Sequence, residues 1–337
     1  MRAASTLGAA VLVSAAVLLG GPALLEAWLP AFLLGAGLVA GALGALMAGH
    51  LLGEAWLRPV RPELEAAART APLVALLALP LLAAPGELYP WAMPGGPPLE
   101  GPRAHWFAPG PFRLRAALIL AAWVGLAWLV ARPGDHRRRS AAGLAVLLPT
   151  ATLAAQDWVL SRDTDWFGSL QGTGLFVEQV AVALAGAVLL TLVREGHPAE
   201  RSRVVGLERA LLTLALLTLW MWFVQFVVVW MADLPAEADW YLRRGGGWAW
   251  LKFGFVLPAL VAAIALATPP RSGPRRLGAV AGLLLAQHAG HVWWLVRPDA
   301  PHGVSSLLLD AALTPAVAAA WAAWWWGELR GRPAAAR

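Results

Sequence analysis

Gln156-Asp157-Trp158-Val159-Leu160-Ser161-Arg162-Asp163-Thr164-Asp165-Trp166-Phe167-Gly168-Ser169-Leu170 closes one apolar run in an acidic, aromatic turn and leads straight into the next run. The same kind of boundary returns at Trp222-Phe223-Val224-Gln225-Phe226-Val227-Val228-Val229-Trp230-Met231-Ala232-Asp233-Leu234-Pro235-Ala236-Glu237. An α-helix needs about 20 mostly apolar residues to cross a bilayer core. Each turn therefore reads as the surface end of a membrane helix. Two such turns predict a surface on which a partner docks, built from Asp163, Asp165, Trp166 and Phe167 and from Asp233, Pro235 and Glu237.

The rest of the chain extends this pattern. It has 337 residues, 59% of them hydrophobic and 14% charged, the composition of an all-α polytopic membrane protein and not of a soluble domain. Ten membrane helices are predicted, at 4–20, 30–52, 72–91, 115–131, 142–160, 173–193, 207–231, 248–268, 277–296 and 304–326, in a single integral domain spanning 1–337. Pro72, Pro80 and Pro85 interrupt the third, which membrane helices tolerate when neighbours satisfy the freed carbonyls. One long outer loop, 86–114, is rich in proline and glycine; the other connections are short and favour antiparallel neighbours. Gly35, Gly37, Gly41, Gly44 and Gly49 in the second helix predict close helix–helix approach.

Charge placement orients the helices. With the N-terminus in the cytoplasm, the even-numbered loops and both tails carry 18 of the 26 basic residues. The other eight fall on the outer side, with Glu26, Glu87, Glu100, Asp163, Asp165, Asp233, Glu237, Asp239 and Asp299. The positive-inside rule then puts both termini in the cytoplasm. The net charge of +6 is this arginine layer, suited to an anionic leaflet and to membrane lipid, and not to nucleic acid. The first apolar segment follows Arg2 like a signal peptide, but Gly21-Pro22-Ala23-Leu24-Leu25-Glu26 is a poor cleavage site, so it is expected to stay as a helix. With no cysteine, this chain holds no thiolate-bound iron–sulfur cluster, covalent c-type haem or disulfide. Many of the twenty tryptophans lie near predicted helix ends, where interfacial anchoring is expected.

Ionisable groups inside hydrocarbon are costly and raise a functional question each. Asp157, Glu178, Gln225, Lys252, His288, His291 and Asp310 all fall in the predicted outer half, and only His50 and Glu54 mark the inner side. Asp157, Lys252 and His291 are near enough to the surface to snorkel. Glu178 and Asp310 lie deeper, where a structural pair with Lys252 or a histidine is the plain alternative. The functional reading is a polar pocket for a quinol head group, since a quinone needs an apolar cleft and one or two polar groups. His288 and His291 are one turn apart and cannot clamp both sides of a haem, with His50 at the opposite leaflet. No zinc-ligand set, phosphate-binding loop or nucleophile elbow occurs.

The two acidic turns resemble the polysulfide-reductase (NrfD-like) membrane family, most nearly the second such subunit of bacterial alternative complex III, the ActF type. The matching residues are Asp157-Trp158 through Ser161, Asp163, Trp166, Phe167 and Ser169, then Phe223, Gln225, Phe226, Trp230, Ala232, Asp233, Pro235, Glu237 and Tyr241. Thr164-Asp165 stands where the family has Pro-His, and Asp233 where it has Asn. The resemblance implies two four-helix bundles with a flanking helix at each end, in the bacterial inner (cytoplasmic) membrane. It implies a subunit of a quinol:cytochrome c (or other acceptor) oxidoreductase, itself non-catalytic or quinone-binding, with quinone or menaquinone as ligand. Its expected partners are a sister NrfD-like subunit, a periplasmic iron–sulfur protein and c-type cytochromes, which would hold the clusters and haem c. The family's second subunit is associated with proton passage or structure. Asp157, Glu178, His288, His291 and Asp310 would then form the outer part of a proton path, with His50 and Glu54 at its inner mouth. Two alternatives stand beside this: the quinone-reactive anchor of a molybdopterin or other iron–sulfur oxidoreductase, and a small-solute or proton-coupled transporter.

Overall fold

Hydrocarbon offers a backbone no hydrogen-bond partner, so apolar runs that enter it close their own bonds as helices. The computed structural model describes residues 2–53, 57–132, 136–166, 168, 170–195, 201–268, 273–301 and 307–330, and none of them is in a strand. The long helices are α1 (Arg2–Leu19), α2 (Gly21–Leu52), α3 (Arg61–Ala83), α4 (Pro109–Ala131) and α5 (His136–Trp158). They continue as α6 (Gln171–Glu195), α7 (Arg201–Ala232), α8 (Gly247–Ala267), α9 (Pro274–Val296) and α10 (Leu307–Arg330). Among the described residues eight helices, α2 to α9, are long and apolar enough to cross a membrane. Within α1 the stretch Gly8–Leu19 is a shorter apolar helix, and α10 adds a further 24-residue helix.

Two helix starts differ most from expectation, both because of proline; three others, at Pro109, His136 and Arg201, come six residues earlier than expected. The second helix starts at Gly21 and not at 30, since Pro30 is absorbed inside it. The third starts at Arg61 and not at 72, and runs as three segments, Arg61–Ala68, Ala71–Leu77 and Leu79–Ala83. Pro72 and Pro80 each stand in the first turn of a segment, where a missing N–H costs no intrahelical bond. The chain then leaves the helix through the short turns Pro85–Leu88 and Pro90–Ala92.

Helix α2 is the axis. Gly37, Gly41 and Gly44 share one face, spaced for successive turns. A Cβ on Gly41 would lie 2.0 Å from the Gln179 carbonyl oxygen, so α2 and α6 meet backbone to backbone. Gly35 lies under the Trp321 ring and Gly49 under Leu57, so the glycines work as the sequence predicts. Helices α3, α4 and α5 pack around α2 on one side; α6 to α9 pack against one another on the other. Helix α1 rests on α2 and α3, and α10 crosses α2 and the first segment of α3. There Trp325 Nε1 donates to the Glu63 carbonyl (2.7 Å) and Trp321 Nε1 to Thr70 Oγ1 (3.2 Å).

Several tryptophans expected at the lipid interface are interior instead. Trp158, Trp166, Trp240, Trp294, Trp321 and Trp325 are buried, because their rings fill the space left opposite small residues and against one another. Trp230 does face outward, as does Trp250. One end of the bundle gathers His50, Ser140, Glu63 and Arg194; the opposite end gathers Glu26, Asp157, Arg162, Arg297 and Asp310.

Candidate functional site

The α2–α6 contact fixes Glu178. Its neighbour Gln179 is wedged against Gly41, and Glu178 itself meets α9, fully buried. Gln287, His288 and His291 come to it from α9, the histidines at i and i+3 and so on one face. His288 Nδ1 lies 2.8 Å from Oε1, Gln287 Nε2 3.2 Å from the same oxygen, and His291 Nδ1 2.6 Å from Oε2. With the carboxylate ionised, both Nδ1 atoms donate, which leaves each Nε2 as the free acceptor. Both Nε2 atoms are buried and lack a hydrogen-bond partner. Glu178 thus pairs with two histidines at once, the structural alternative and the functional one in a single cluster. Among the described residues no group of three His, Asp or Glu is arranged to hold a metal ion.

His291 opens onto a cavity of about 440 Å³ between α7, the helix Pro235–Leu242, α8 and α9. Its wall is aromatic. Trp222 packs edge-on against His291 with centroids 4.3 Å apart, and Trp294 stacks on the same imidazole at 5.8 Å. Lys252 Nζ sits 3.2 Å from the Trp222 ring centroid and 4.7 Å from that of Trp294, a cation–π clamp in place of an ion pair. The lysine is carried on a π-helical stretch of α8, Trp250–Val256. Pro258 follows it; it cannot donate to the Gly254 carbonyl, so the helix widens there. Trp222 Nε1 and Trp294 Nε1 are buried without a partner, as is His291 Nε2. Orphaned buried donors are rare and call for an explanation. Gln171, Tyr241 and Arg244 also line the cavity. Phe223, Phe226 and Phe253 line it too while being 62%, 49% and 66% exposed, so its mouth opens sideways through the lipid-facing surface of α7 and α8.

The other predicted site residues are placed elsewhere. Arg115 clamps Asp157 with bonds of 2.7 and 3.0 Å, and Trp106 covers the guanidinium at 4.0 Å. Gln225 Oε1 accepts the Leu170 N–H (3.2 Å) and is not on the cavity wall. Asp310 pairs with Arg297 Nε at 2.8 Å, not with Lys252 or a histidine. Arg297 also reaches Glu26 (3.1 Å), which Arg162 holds through both oxygens (2.9 and 2.8 Å). Two acids and two arginines so form one buried chain linking α2, the turn after α5, α9 and α10. At the opposite end of the bundle His50 Nδ1 meets Ser140 Oγ at 2.8 Å, and its ring lies 4.9 Å from His136. Glu54 and Phe167 lie outside the described residues.

The acidic turns are largely neutralised within the chain. Asp163 and Asp239 bind Arg243, Asp299 binds Arg244, and Arg103 holds Asp165 at 2.8 Å. Burial pulls the Arg244 guanidinium below its ordinary range, opposed by Asp299. Around the more open Arg243 burial acts the same way, but the carboxylates of Asp163, Asp299 and Asp239 outweigh it and hold the group above its ordinary range. Trp166 is interior, stacked on Trp240 at 4.2 Å, and ties the two turns together. Asp233, with φ of 49°, and Pro235 stay exposed, and Glu237 is half-buried. Sequence reasoning missed Arg115, Arg162, Arg244 and Arg297, yet a signal existed. They are among the eight basic residues that break the positive-inside pattern, and each is there to meet an acid.

No protein-family model matches the chain, and no curated protein matches it.

Proposed function

We propose that this chain is an integral membrane subunit of a quinol:cytochrome c (or other acceptor) oxidoreductase, of the alternative complex III kind, and that the Trp222–Lys252–His291 cavity takes the quinol head group. One observation carries the reading. An aromatic, laterally open cavity contains a histidine acceptor backed by a buried carboxylate, beside two unpaired indole donors. A planar ring suits the faces of Trp222 and Trp294, its oxygens suit the indole N–H groups and Lys252, and its tail leaves between the phenylalanines. A quinol hydroxyl donates to His291 Nε2, and the resulting imidazolium is stabilised by Glu178 through the 2.6 Å contact. The second hydroxyl's proton goes to solvent on the periplasmic side, and the two electrons leave to iron–sulfur or haem c carriers in periplasmic partners, since a chain without cysteine holds neither by thiolate. Exposed residues of the second turn, Asp233 and Pro235, are where such a partner would touch. The same reading puts ten crossings in the bacterial inner membrane with both termini in the cytoplasm.

The test is gentle purification of the tagged chain, followed by haem staining, iron analysis and titration with decyl-ubiquinol, reading quenching of tryptophan fluorescence. Co-purified multihaem cytochrome and iron–sulfur protein, with quenching lost in His291→Phe, are expected. A colourless monomer that ignores the quinol would overturn the proposal.

A further inference from the structure

Glu178 has two oxygens, and the histidine on each opens onto a different space. His291, at Oε2, lines the aromatic cavity; His288, at Oε1, lines a second one of about 370 Å³ between α2, α6, α9 and α10. The second space exists because glycines stand in its walls. Gly35 faces the Trp321 ring and Gly186 the Trp325 ring, and both glycines and both rings line it. The rest of the lining is aliphatic, Leu34, Leu38, Val182 and Leu285 among it, with only His288 and Thr314 polar. Thr314 Oγ1 already accepts the Trp293 indole N–H at 3.3 Å. His288 Nε2, buried and without a partner, is the acceptor left over.

We propose that this second cavity binds the hydroxyl head of a phenolic, quinol-class amphiphile on His288 Nε2, as a site distinct from the first and coupled to it through Glu178. An apolar wall rejects ions and sugars, because their polar groups would lose water and gain nothing. A single free acceptor asks for a single O–H, and the Thr314 hydroxyl can donate to a second oxygen on the same ring. The volume falls within the range of small-ligand pockets. Only the class of ligand rests on the reading of the first cavity; the site itself rests on the orphaned nitrogen and the space around it.

The coupling is electrostatic. One carboxylate can balance one imidazolium. When His291 accepts a proton at Nε2, its positive charge and the negative charge of Glu178 cancel, and Lys252 adds a further cation on the same side. A second imidazolium at His288 then has no uncompensated anion beside it. A proton accepted from the first cavity therefore keeps His288 neutral, its Nε2 an acceptor for the ligand O–H in the second, with the Nδ1 hydrogens of both rings left in place on Glu178.

A short-tailed azidophenol photoprobe on the purified complex, with labelled peptides located by mass spectrometry, tests this. Labelling is expected both on α7–α8 and on α10 between Thr314 and Trp325, each suppressed by unlabelled quinol. Ala318→Phe, at an exposed position on the second cavity's wall, is expected to cut α10 labelling at least tenfold and spare α7–α8. Glu178→Gln is expected to weaken both. Labelling confined to α7–α8 overturns the second site while leaving the proposed function standing. Labelling confined to α10 retains the second site and sinks the head-group reading of the first. If a phosphatidylcholine photoprobe marks α10 equally and quinol does not compete with it, the space is a lipid crevice and the inference fails.

Discussion

Replacing Gly41 by alanine would drive a methyl group into the α6 backbone. The new Cβ would lie 2.0 Å from the Gln179 carbonyl oxygen and 2.4 Å from its carbon, where ordinary contact begins at 3.4 Å. The clashing atoms are main chain, so no rotamer relieves them, and α2 must move from α6 by about 1.4 Å at the crossing. Overpacking of this kind costs about 1–3 kcal/mol, and close approach at small residues is a main source of helix association in membranes. The shift also carries Glu178, one residue away, from its 2.6 and 2.8 Å contacts with α9. Unfolding titrated with SDS in mixed micelles should therefore show a loss of about 1–3 kcal/mol, together with weaker quinol-induced quenching. Gly282→Ala is the control, since a Cβ there meets nothing within 4 Å; in a helix interior it should be neutral or gain up to about 1 kcal/mol. If Gly41→Ala and Gly282→Ala unfold at the same point, the backbone contact that positions Glu178 is not what the geometry implies.

Four further outcomes are expected. Arg297→Met leaves Glu26 and Asp310 buried with only Arg162 between them, and should cost about 3–5 kcal/mol in the same titration; a variant as stable as the parent would mean the chain of charges is incidental. Trp166→Ala removes the ring stacked on Trp240 and should lose about 3–5 kcal/mol, with limited proteolysis moving to the turns around residues 161–166 and 235–242. In the assembled complex, His291→Phe should slow quinol oxidation by at least about a hundredfold, the ordinary range of a general base. Asp310→Asn should instead act on stability and leave the quinol rate within about twofold; equal loss of rate in both would place Asp310 in the proton path after all.

The helical, membrane-spanning architecture was legible because it follows from composition and run length, which depend on no neighbour. The glycine face of α2 was legible for the same reason, as 3.6-residue periodicity shows which glycines coincide. Where proline starts a helix segment, the two fall apart: Pro72 looks like a break, whereas in the fold it opens the second of three stacked segments. The site was half legible. Depth and chemistry singled out Glu178, His288, His291 and Lys252, but not which acid met which base. Asp157 and Asp310 look just as costly in the sequence, and only tertiary packing shows Arg115 and Arg297 beside them. Likewise Trp294 reads as an ordinary interfacial ring until the fold lays it, with Trp222, around one ammonium group.

The sideways mouth between Phe223, Phe226 and Phe253 sets how affinity for this cavity has to be expressed. A ligand that arrives through the side of α7 and α8 is drawn from the bilayer and not from water. Its occupancy then follows mole fraction in the lipid phase. Enlarging the vesicle or micelle pool at fixed total ligand should empty the site by dilution alone, and dissociation constants compared between membranes hold only per unit of lipid.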